Sequence, residues 1–376
     1  MDVDVRPVTS RSDRREFIEL PFRLHSTSKQ WIPPLRLERR LFLDRRLNAF
    51  FRRGEAQEFL ALTTTGPRRV VGRISAQIDS AYDAQHGPGT GMFGFLELED
   101  EPQVAAALLA AVRDWLAQRG RVRMIGPMDY TMNDECGVLI EGFEREPMVK
   151  QPWHPPYYQR RCEEAGLRKA VDLYTWELVI ADRDRIAPVI FDLAERSISR
   201  HGIRLRRMSR RRLRKDLDTF AEVYNAAWKD NWGFVPYSKA DLDHYAQELQ
   251  LVFDRNWFMV AEKDAQPVGM AITVPDVNQV LKRMNGRLLP LGWWHFLRKS
   301  RIIDRVRVGF LGVKPEYQHT GVAALLYVEH FDVASRTRQK WGEMGWILET
   351  NRAMNRGMEA MGGRIVKRFR VYEAGV

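Results

Sequence analysis

The residues of this chain best spaced for chemistry lie between Arg307 and Leu326, where an apolar strand stops at Lys314-Pro315, turns through Gln318-His-Thr-Gly321 and opens a helix. Pro315 ends the strand, Gly321 lets the backbone approach an anion, and a helix starting at Val322 presents unpaired N–H groups at the positive end of its dipole. Such a turn can cradle a pyrophosphate. Three side chains near it can move protons or touch an anion. Glu349 closes the next strand and is either a general base or a cap on the following helix. His319 lies in the cradle itself, where it meets phosphate or solvent. Asp230 sits in the aromatic loop Trp228–Tyr237.

Gln318, Gly321 and Ala323 match the spacing Q/R-x-x-G-x-G/A, which resembles the acyl-CoA loop of the GCN5-related N-acetyltransferase (GNAT) superfamily. Further on, Gly345–Gly363 resembles that superfamily's next strand and helix, N-x-x-A-x-x-x-Y-x-x-x-G-F. Asn351 takes the Asn position, Met354 the Ala, Met358 the Tyr and Gly362-Gly363 the Gly-Phe, before a closing strand, Val366–Tyr372. The resemblance implies acyl-CoA as co-substrate, held along Leu311, Gly312, Val313, Gln318, His319, Thr320, Gly321, Val322, Ala323, Asn351 and Asn355, with no metal. It also implies a thioester carbonyl polarised by a backbone N–H between Leu311 and Val313. Met358 cannot supply the proton that a Tyr there would give the leaving thiolate. Another group or water does so, or the thiolate leaves unprotonated.

The elements that must position these residues repeat. Periodicity predicts strands at Val3–Val8, Ala56–Thr64, Val70–Ile78, Met92–Leu98, Arg121–Ile125 and Asp172–Val179, with helices at Arg14–Leu24, Pro102–Arg119 and Pro156–Glu164. The second half follows the same order: strand Ile203–Met208, helices Leu213–Trp228 and Lys239–Phe253, strands Trp257–Glu262 and Gln266–Val274, then the cradle strand. A helix at Arg183–His201, with a buried stripe of Ile186, Val189, Ile190, Leu193 and Ala194, bridges the halves. The expected fold is α/β with mixed sheets, as two tandem GNAT-like domains, 1–180 and 181–376. At the cradle position of the first domain stand Glu99, Asp100 and Glu101, which would repel pyrophosphate, so that domain is expected to act as scaffold and substrate wall.

At 376 residues and 44% hydrophobic, the chain can fill two cores. No apolar run reaches the ~18 residues that span a bilayer, and the first residues do not resemble a signal peptide. The two cysteines, Cys136 and Cys162, lack metal-ligand spacing and read as reduced thiols. A net charge of +11 favours anionic partners. The arginine-rich run 204–215 has no interleaved aromatics that would stack bases, so nucleic acid is not an expected partner. The polar loop 126–143, with Asn133, Asp134 and Glu135, is either solvent-exposed or ordered at an interface against substrate.

Between the strand ending at Val274 and the cradle strand lies an insertion at 277–303, where Leu288, Leu289, Leu291, Trp293, Trp294, Phe296 and Leu297 are flanked by Lys282, Arg283, Arg287, Arg298, Lys299 and Arg301. This is either a helical pair over the core or an interfacial segment for an anionic membrane surface. With the tandem order, Trp31–Leu35, Asn231–Pro236 and Glu349–Asn355, the chain resembles the GNAT-related group that includes bacterial ceramide synthases. That resemblance implies transfer of a long-chain acyl group from acyl-CoA to the amine of a sphingoid base, a lipid-like acceptor, by a cytoplasmic protein peripheral on the inner membrane. Read from their positions, Glu135, Asn231, Trp232, Tyr237, Trp293 and Trp294 are the candidates along the substrate, and Glu349, Asp230 and His319 the candidate catalytic groups. Acetylation of a small amine or protein lysine, and non-catalytic acyl-CoA binding, remain the alternatives.

Overall fold

The computed structural model describes residues 2–180 and 182–376, with Glu248 described by its backbone only. The chain forms two compact units. One comprises Met1–Leu173, Leu281–Trp293 and Lys367–Val376, and the other Tyr174–Val280 and Trp294–Val366.

Along the chain the first unit supplies β1 (Val3–Pro7), α1 (Arg11–Leu24), α2 (Arg36–Phe42), β2 (Gly54–Thr63), β3 (Val70–Asp79), α3 (Ser80–His86), β4 (Thr90–Leu98), α4 (Pro102–Ala117), β5 (Arg123–Gly126), β6 (Val138–Glu141) and α5 (Tyr157–Glu164). Strand β7 (Arg168–Leu178) leads into the second unit. There follow α6 (Pro188–Ser199), β8 (Arg204–Arg207), α7 (Leu213–Trp228), α8 (Lys239–Val252), β9 (Phe258–Lys263) and β10 (Gln266–Pro275). Three short helices, α9 (Asn278–Met284), α10 (Gly292–Leu297) and α11 (Lys299–Ile302), occupy the insertion. Then come β11 (Arg305–Val313), α12 (Val322–Arg336), β12 (Trp341–Leu348), α13 (Arg352–Ala360) and β13 (Arg364–Gly375), which ends in the first unit.

In the first unit the strands run β1-β2-β3-β4-β5-β13, with β6 also on β13, and β4 and β5 are parallel. In the second the order is β7-β12-β11-β10-β9-β8, with β11 and β12 parallel. Each unit thus joins an antiparallel meander to one parallel pair whose crossover is a helix, α4 or α12. Those crossover helices are apolar where they meet their sheets: Val104, Leu108, Val112 and Leu116 in α4, and Val322, Leu326 and Val333 in α12, are buried. Local signals fix the ends. Ser10 and Asp13 form a capping box on α1, and Ser238 and Asp241 do the same for α8.

Helix α6 differs from its expectation. Pro188 starts it, Arg183–Arg185 form a separate 3₁₀ turn, and its buried positions are Ile190, Ala194 and Ser197. Val189 is exposed, because α6 packs a narrower face on α12 than the apolar pattern suggested.

Candidate active site

Strands β11 and β12 pair from Arg305–Trp341 to Val308–Met344 and then part. On the other side of β11 the register with β10 slips between Ile272 and Thr273, so Thr273 faces Val308, Ile272 faces Phe310, and Gly309 has no partner. Gly309 is the single exposed residue in an otherwise buried strand, and a Cβ there would meet nothing nearer than the Ile272 carbonyl oxygen at 3.8 Å. A bulge beside a parted neighbour leaves backbone groups open to a ligand. Leu311, Gly312 and Val313, where the polarising N–H was expected, are buried and paired with Ala271, Met270 and Gly269. The missing Gly312 side chain is replaced by the Trp228 ring, 2.2 Å from where a Cβ would stand.

The cradle follows. Pro315–Thr320 form a 3₁₀ turn, and Gly321 takes a left-handed conformation at φ 81° as the N-cap of α12, with no side chain capping the helix. Any Cβ on Gly321 would lie 2.4 Å from the Leu193 carbonyl oxygen, so both the backbone angle and the packing against α6 require glycine. Gln318 and His319 are exposed beside this helix mouth, Ala323 is half-buried, and Val322 is buried. Thr320 is buried and donates its hydroxyl to the Tyr317 carbonyl at 2.6 Å, so its polar atom serves the turn.

At the end of β12, Glu349 is half-buried in the turn before α13. Asn351 caps α13 by accepting the Met354 N–H at 3.1 Å. Asn355 accepts the Trp176 indole N–H at 3.0 Å and donates to the Leu348 carbonyl at 3.1 Å, tying the Glu349 turn to the helix. Asn351 therefore caps the helix, while Asn355 acts on the backbone that carries Glu349. Met358 is fully buried. The Tyr327 hydroxyl, from α12, donates to the Met354 sulfur at 3.4 Å, and burial keeps that phenol protonated.

After α7, Asp230 is exposed and Asn231, Trp232 and Tyr237 are half-buried. Tyr237 joins Phe220, Tyr224, Trp228 and Phe310 in an aromatic cluster whose centroids lie between 4.4 and 5.7 Å apart where they touch. Trp293 and Trp294 are exposed.

The first unit treats the same geometry differently. Strands β4 and β5 pair from Thr90–Arg123 to Met92–Ile125 and then part, but the chain fills the gap itself. Met128 donates to the Phe93 carbonyl at 2.8 Å, and the Asp129 carboxylate accepts the Phe95 N–H at 2.8 Å. Beyond β4, Glu99 pairs with Arg23 at 3.0 Å, and Asp100 pairs with Arg160 at 3.0 Å and Arg161 at 2.7 Å. These arginines neutralise the acids in place, where a pyrophosphate would have met negative charge.

Around Asp129 lies a buried polar cluster. Glu97 receives the Tyr158 hydroxyl at 2.6 Å and His25 Nε2 at 2.7 Å on one carboxylate oxygen, and Arg73 approaches the other at 3.7 Å. Burial opposes its charge, but His25, Arg73 and His154 outweigh that and hold Glu97 down at about 2. Burial pushes His154 down to about 4, so it is neutral and accepts the Leu139 N–H at 3.2 Å. Burial and the neighbouring Glu135 push Asp129 up to about 8, and burial raises Glu135 as well.

The chain is 35% identical over 382 residues to a protein named bacterial ceramide synthase from Caulobacter vibrioides (strain NA1000 / CB15N), spanning 99% of this chain and 97% of that protein. It belongs to the bacterial ceramide synthase family. Protein YghO of Escherichia coli (strain K12) is 32% identical over 375 residues, spanning 98% of this chain and 94% of its own length. No protein-family model matches the chain. Among solved structures, a tandem GNAT protein from the clavulanic acid biosynthesis pathway superposes with a TM-score of 0.56 at 12% identity, covering 100% of this chain and 98% of that one. A GCN5-related N-acetyltransferase from Sphaerobacter thermophilus gives 0.54 at 12% identity, covering 99% and 95%. The fold is that of two tandem GNAT-like domains.

In this ceramide synthase family member the cradle was legible, while Gly309 and the cluster of the first unit were not. Gly309 could have been found from its setting, a glycine between Val308 and Phe310 in an apolar strand, since a strand glycine often marks a bulge. His25, Arg73, Glu97 and Asp129 come from four separate segments that only the fold brings together.

Proposed function

We propose that this protein is an N-acyltransferase that moves a long-chain acyl group from acyl-CoA to the amine of a sphingoid base. The observation that carries the reading is the open backbone at Gly309 one strand-end away from the Gly321 helix mouth, in a chain related over its whole length to a ceramide synthase. Acyl transfer joins the amine nitrogen to the acyl carbon and releases the CoA thiol. In this reading the second domain, 181–376, holds acyl-CoA and the first, 1–180, has given up that role.

The N–H groups at the start of α12, with Gln318 and His319 beside them, suit a diphosphate. Backbone N–H groups around Gly309 suit the carbonyl oxygen, whose charge grows as the amine adds. Glu349, on the turn that Asn355 ties to α13, is the candidate to accept a proton, with Asp230 and His319 as the other candidates. Tyr327 takes over the phenol that position 358 lacks. The aromatic cluster of Tyr237, Trp228 and Phe310, with Asn231 and Trp232, supplies apolar wall for a long chain.

Among the described residues no helix is long and apolar enough to cross a membrane. In the insertion, however, Leu289, Leu291 and Leu297 are 72%, 69% and 67% exposed, Trp293 and Trp294 are exposed, and so are Arg283, Arg287, Arg298 and Arg301. That mix suits the surface of an anionic membrane, at the cytoplasmic face where lipid substrates would be met.

The test is free-CoA release by the purified protein with palmitoyl-CoA or acetyl-CoA, each with and without sphinganine. Thiol release and amide formation only with palmitoyl-CoA plus sphinganine is the expected result. Release with acetyl-CoA and a small amine would replace the reading by acetylation.

A further inference from the structure

The strands of the second unit part just beyond a buried charge. Arg307, on β11, is 6% exposed, and its register partner Glu343, on β12, is 2% exposed. The next pair, Val308 and Met344, is the last before the strands separate, and Gly345 is the first residue of β12 beyond it. The Gly345 carbonyl receives two N–H groups from the Arg307 guanidinium, from Nε at 3.3 Å and from an Nη at 3.1 Å. The guanidinium carbon also lies 5.0 Å from the centre of the Trp346 ring, a cation–π contact. Arg307 therefore reaches from β11 to the part of β12 that has left it.

Arg305, on the same strand, shows what an arginine does where the strands stay together. It is held by Asp276 at 2.6 Å and lies over Trp341, its own register partner, at 5.6 Å. Arg307 instead reaches past its register partner Glu343 to Gly345 and Trp346. The first unit supplies the control. One pair before its own parallel strands part stand Gly91 and Met124, neither of which has a side-chain donor to offer across the gap, and there the chain fills the gap with Met128 and Asp129. Burying a charge is costly unless strong hydrogen bonds compensate, so a guanidinium beneath the open gap and not beneath the filled one is tied to the opening. Its planar fork can serve one carbonyl twice and stack on a ring at once, which a single ammonium cannot.

We propose that Arg307 is a positioning residue for acyl transfer. By holding the Gly345 carbonyl and the Trp346 ring it keeps β12 parted from β11, and so fixes the opening in which the backbone at Gly309 meets the thioester. The proposal rests on the reading that β11 receives an acyl-CoA thioester. Arg307 acts on the width of the gap, so its effect falls on the acyl part of the ligand and not on the diphosphate at Gly321.

The test uses the full-length protein as wild type, Arg307→Lys and Arg307→Met. Lysine keeps a positive charge opposite Glu343, so the fold survives in at least one variant, and thermal melting checks it. Calorimetric titration gives the affinity for CoA and for palmitoyl-CoA below its micellar range, alongside steady-state amide formation with sphinganine. Both variants are expected to hold CoA within twofold of wild type, while the advantage of palmitoyl-CoA over CoA falls at least 10-fold. The kcat is expected to fall about 10²-fold, the cost of a misplacement of about 1 Å. A folded Arg307→Lys protein whose palmitoyl-CoA advantage matches wild type would overturn the positioning role, and so would one that loses CoA and palmitoyl-CoA equally. Wild type that binds palmitoyl-CoA but forms no amide would sink the transferase reading instead, and the affinity advantage in the variants would still decide the role of Arg307.

Discussion

Replacing Gly309 by Ala separates an open backbone kept for a ligand from one that is merely tolerated. The new methyl would lie 3.8 Å from its nearest neighbour, the Ile272 carbonyl oxygen, so the folded protein accommodates it without strain. Removing a glycine's freedom from the unfolded chain stabilises by about 0.4–1 kcal/mol, which raises Tm by roughly 2–4 °C at most in domains of this size. In the proposed site the same methyl would stand between the acyl carbonyl and the β11 backbone N–H groups. Keeping the carbonyl away from one such donor should lower kcat as its loss would, by about 10²–10³-fold, or ~3–4 kcal/mol of barrier. Gly312→Ala, three residues on in the same strand, is the opposite case. Its methyl would be 2.2 Å from the Trp228 ring, and overpacking of that kind costs about 1–3 kcal/mol. Thermal melting and CoA release with palmitoyl-CoA and sphinganine should thus show one variant stable and inactive, the other less stable. A Gly309→Ala protein with wild-type kcat/KM would refute the placement of the thioester.

Gly321→Ala combines a left-handed residue, about 1–2 kcal/mol for a Cβ, with a 2.4 Å approach to the Leu193 carbonyl; palmitoyl-CoA affinity should fall at least 10-fold, measured by titration. Stability should decline as pH drops below neutral. His154 and His330 are held neutral in the fold, each with its pKa down at about 4 against an ordinary 6.5, so their contribution is full above 6.5 and is lost between 6.5 and 4. Glu97, down at about 2 against 4.5, adds a further loss between 4.5 and 2. Asp129 has the opposite sign, since a group raised to about 8 destabilises as pH climbs from 3.8 to 8, so Asp129→Asn should raise Tm most at pH 8 and above. Leu289→Asp with Leu291→Asp should reduce sedimentation with anionic vesicles at least 10-fold, given about 1.5–3 kcal/mol per buried leucine, while leaving Tm unchanged because both are exposed.

The parts of the fold that could be read from sequence are those whose causes are local. Helix α7 at Leu213–Trp228 and the left-handed turn at Gly321 follow from apolar spacing and from a glycine placed between a proline-stopped strand and a helix. The short helices α2 and α3 gave no such signal, since seven residues hold too little periodicity to stand out. The charged cluster was invisible for another reason. Glu97 falls inside the strand expected at Met92–Leu98 and His25 just past the helix expected at Arg14–Leu24, and neither position carries a chemical signal alone. Their meeting depends on β4 and α1 lying on one sheet, which no local pattern encodes. Asn351 and Asn355 were legible as a motif, but not their local bonds: Asn351 caps α13 through the Met354 N–H, and Asn355 donates to the Leu348 carbonyl.

The two halves share a grammar, and a single contrast separates them. In each, a parallel pair parts after three or four residues and exposes the backbone of the strand before the crossover helix. In the second unit the gap is left open at Gly309. In the first, Met128 and Asp129 enter it, and Gly94 is so close that a Cβ would lie 2.0 Å from the Met128 carbonyl oxygen. A backbone N–H that could polarise a carbonyl instead holds a carboxylate at Phe95. Filling the gap thus removes the open backbone that the second unit keeps at Gly309. The acids that mark the cradle position of the first half have a different partner from a phosphate, since Glu99 holds Arg23 and Asp100 holds Arg160 and Arg161.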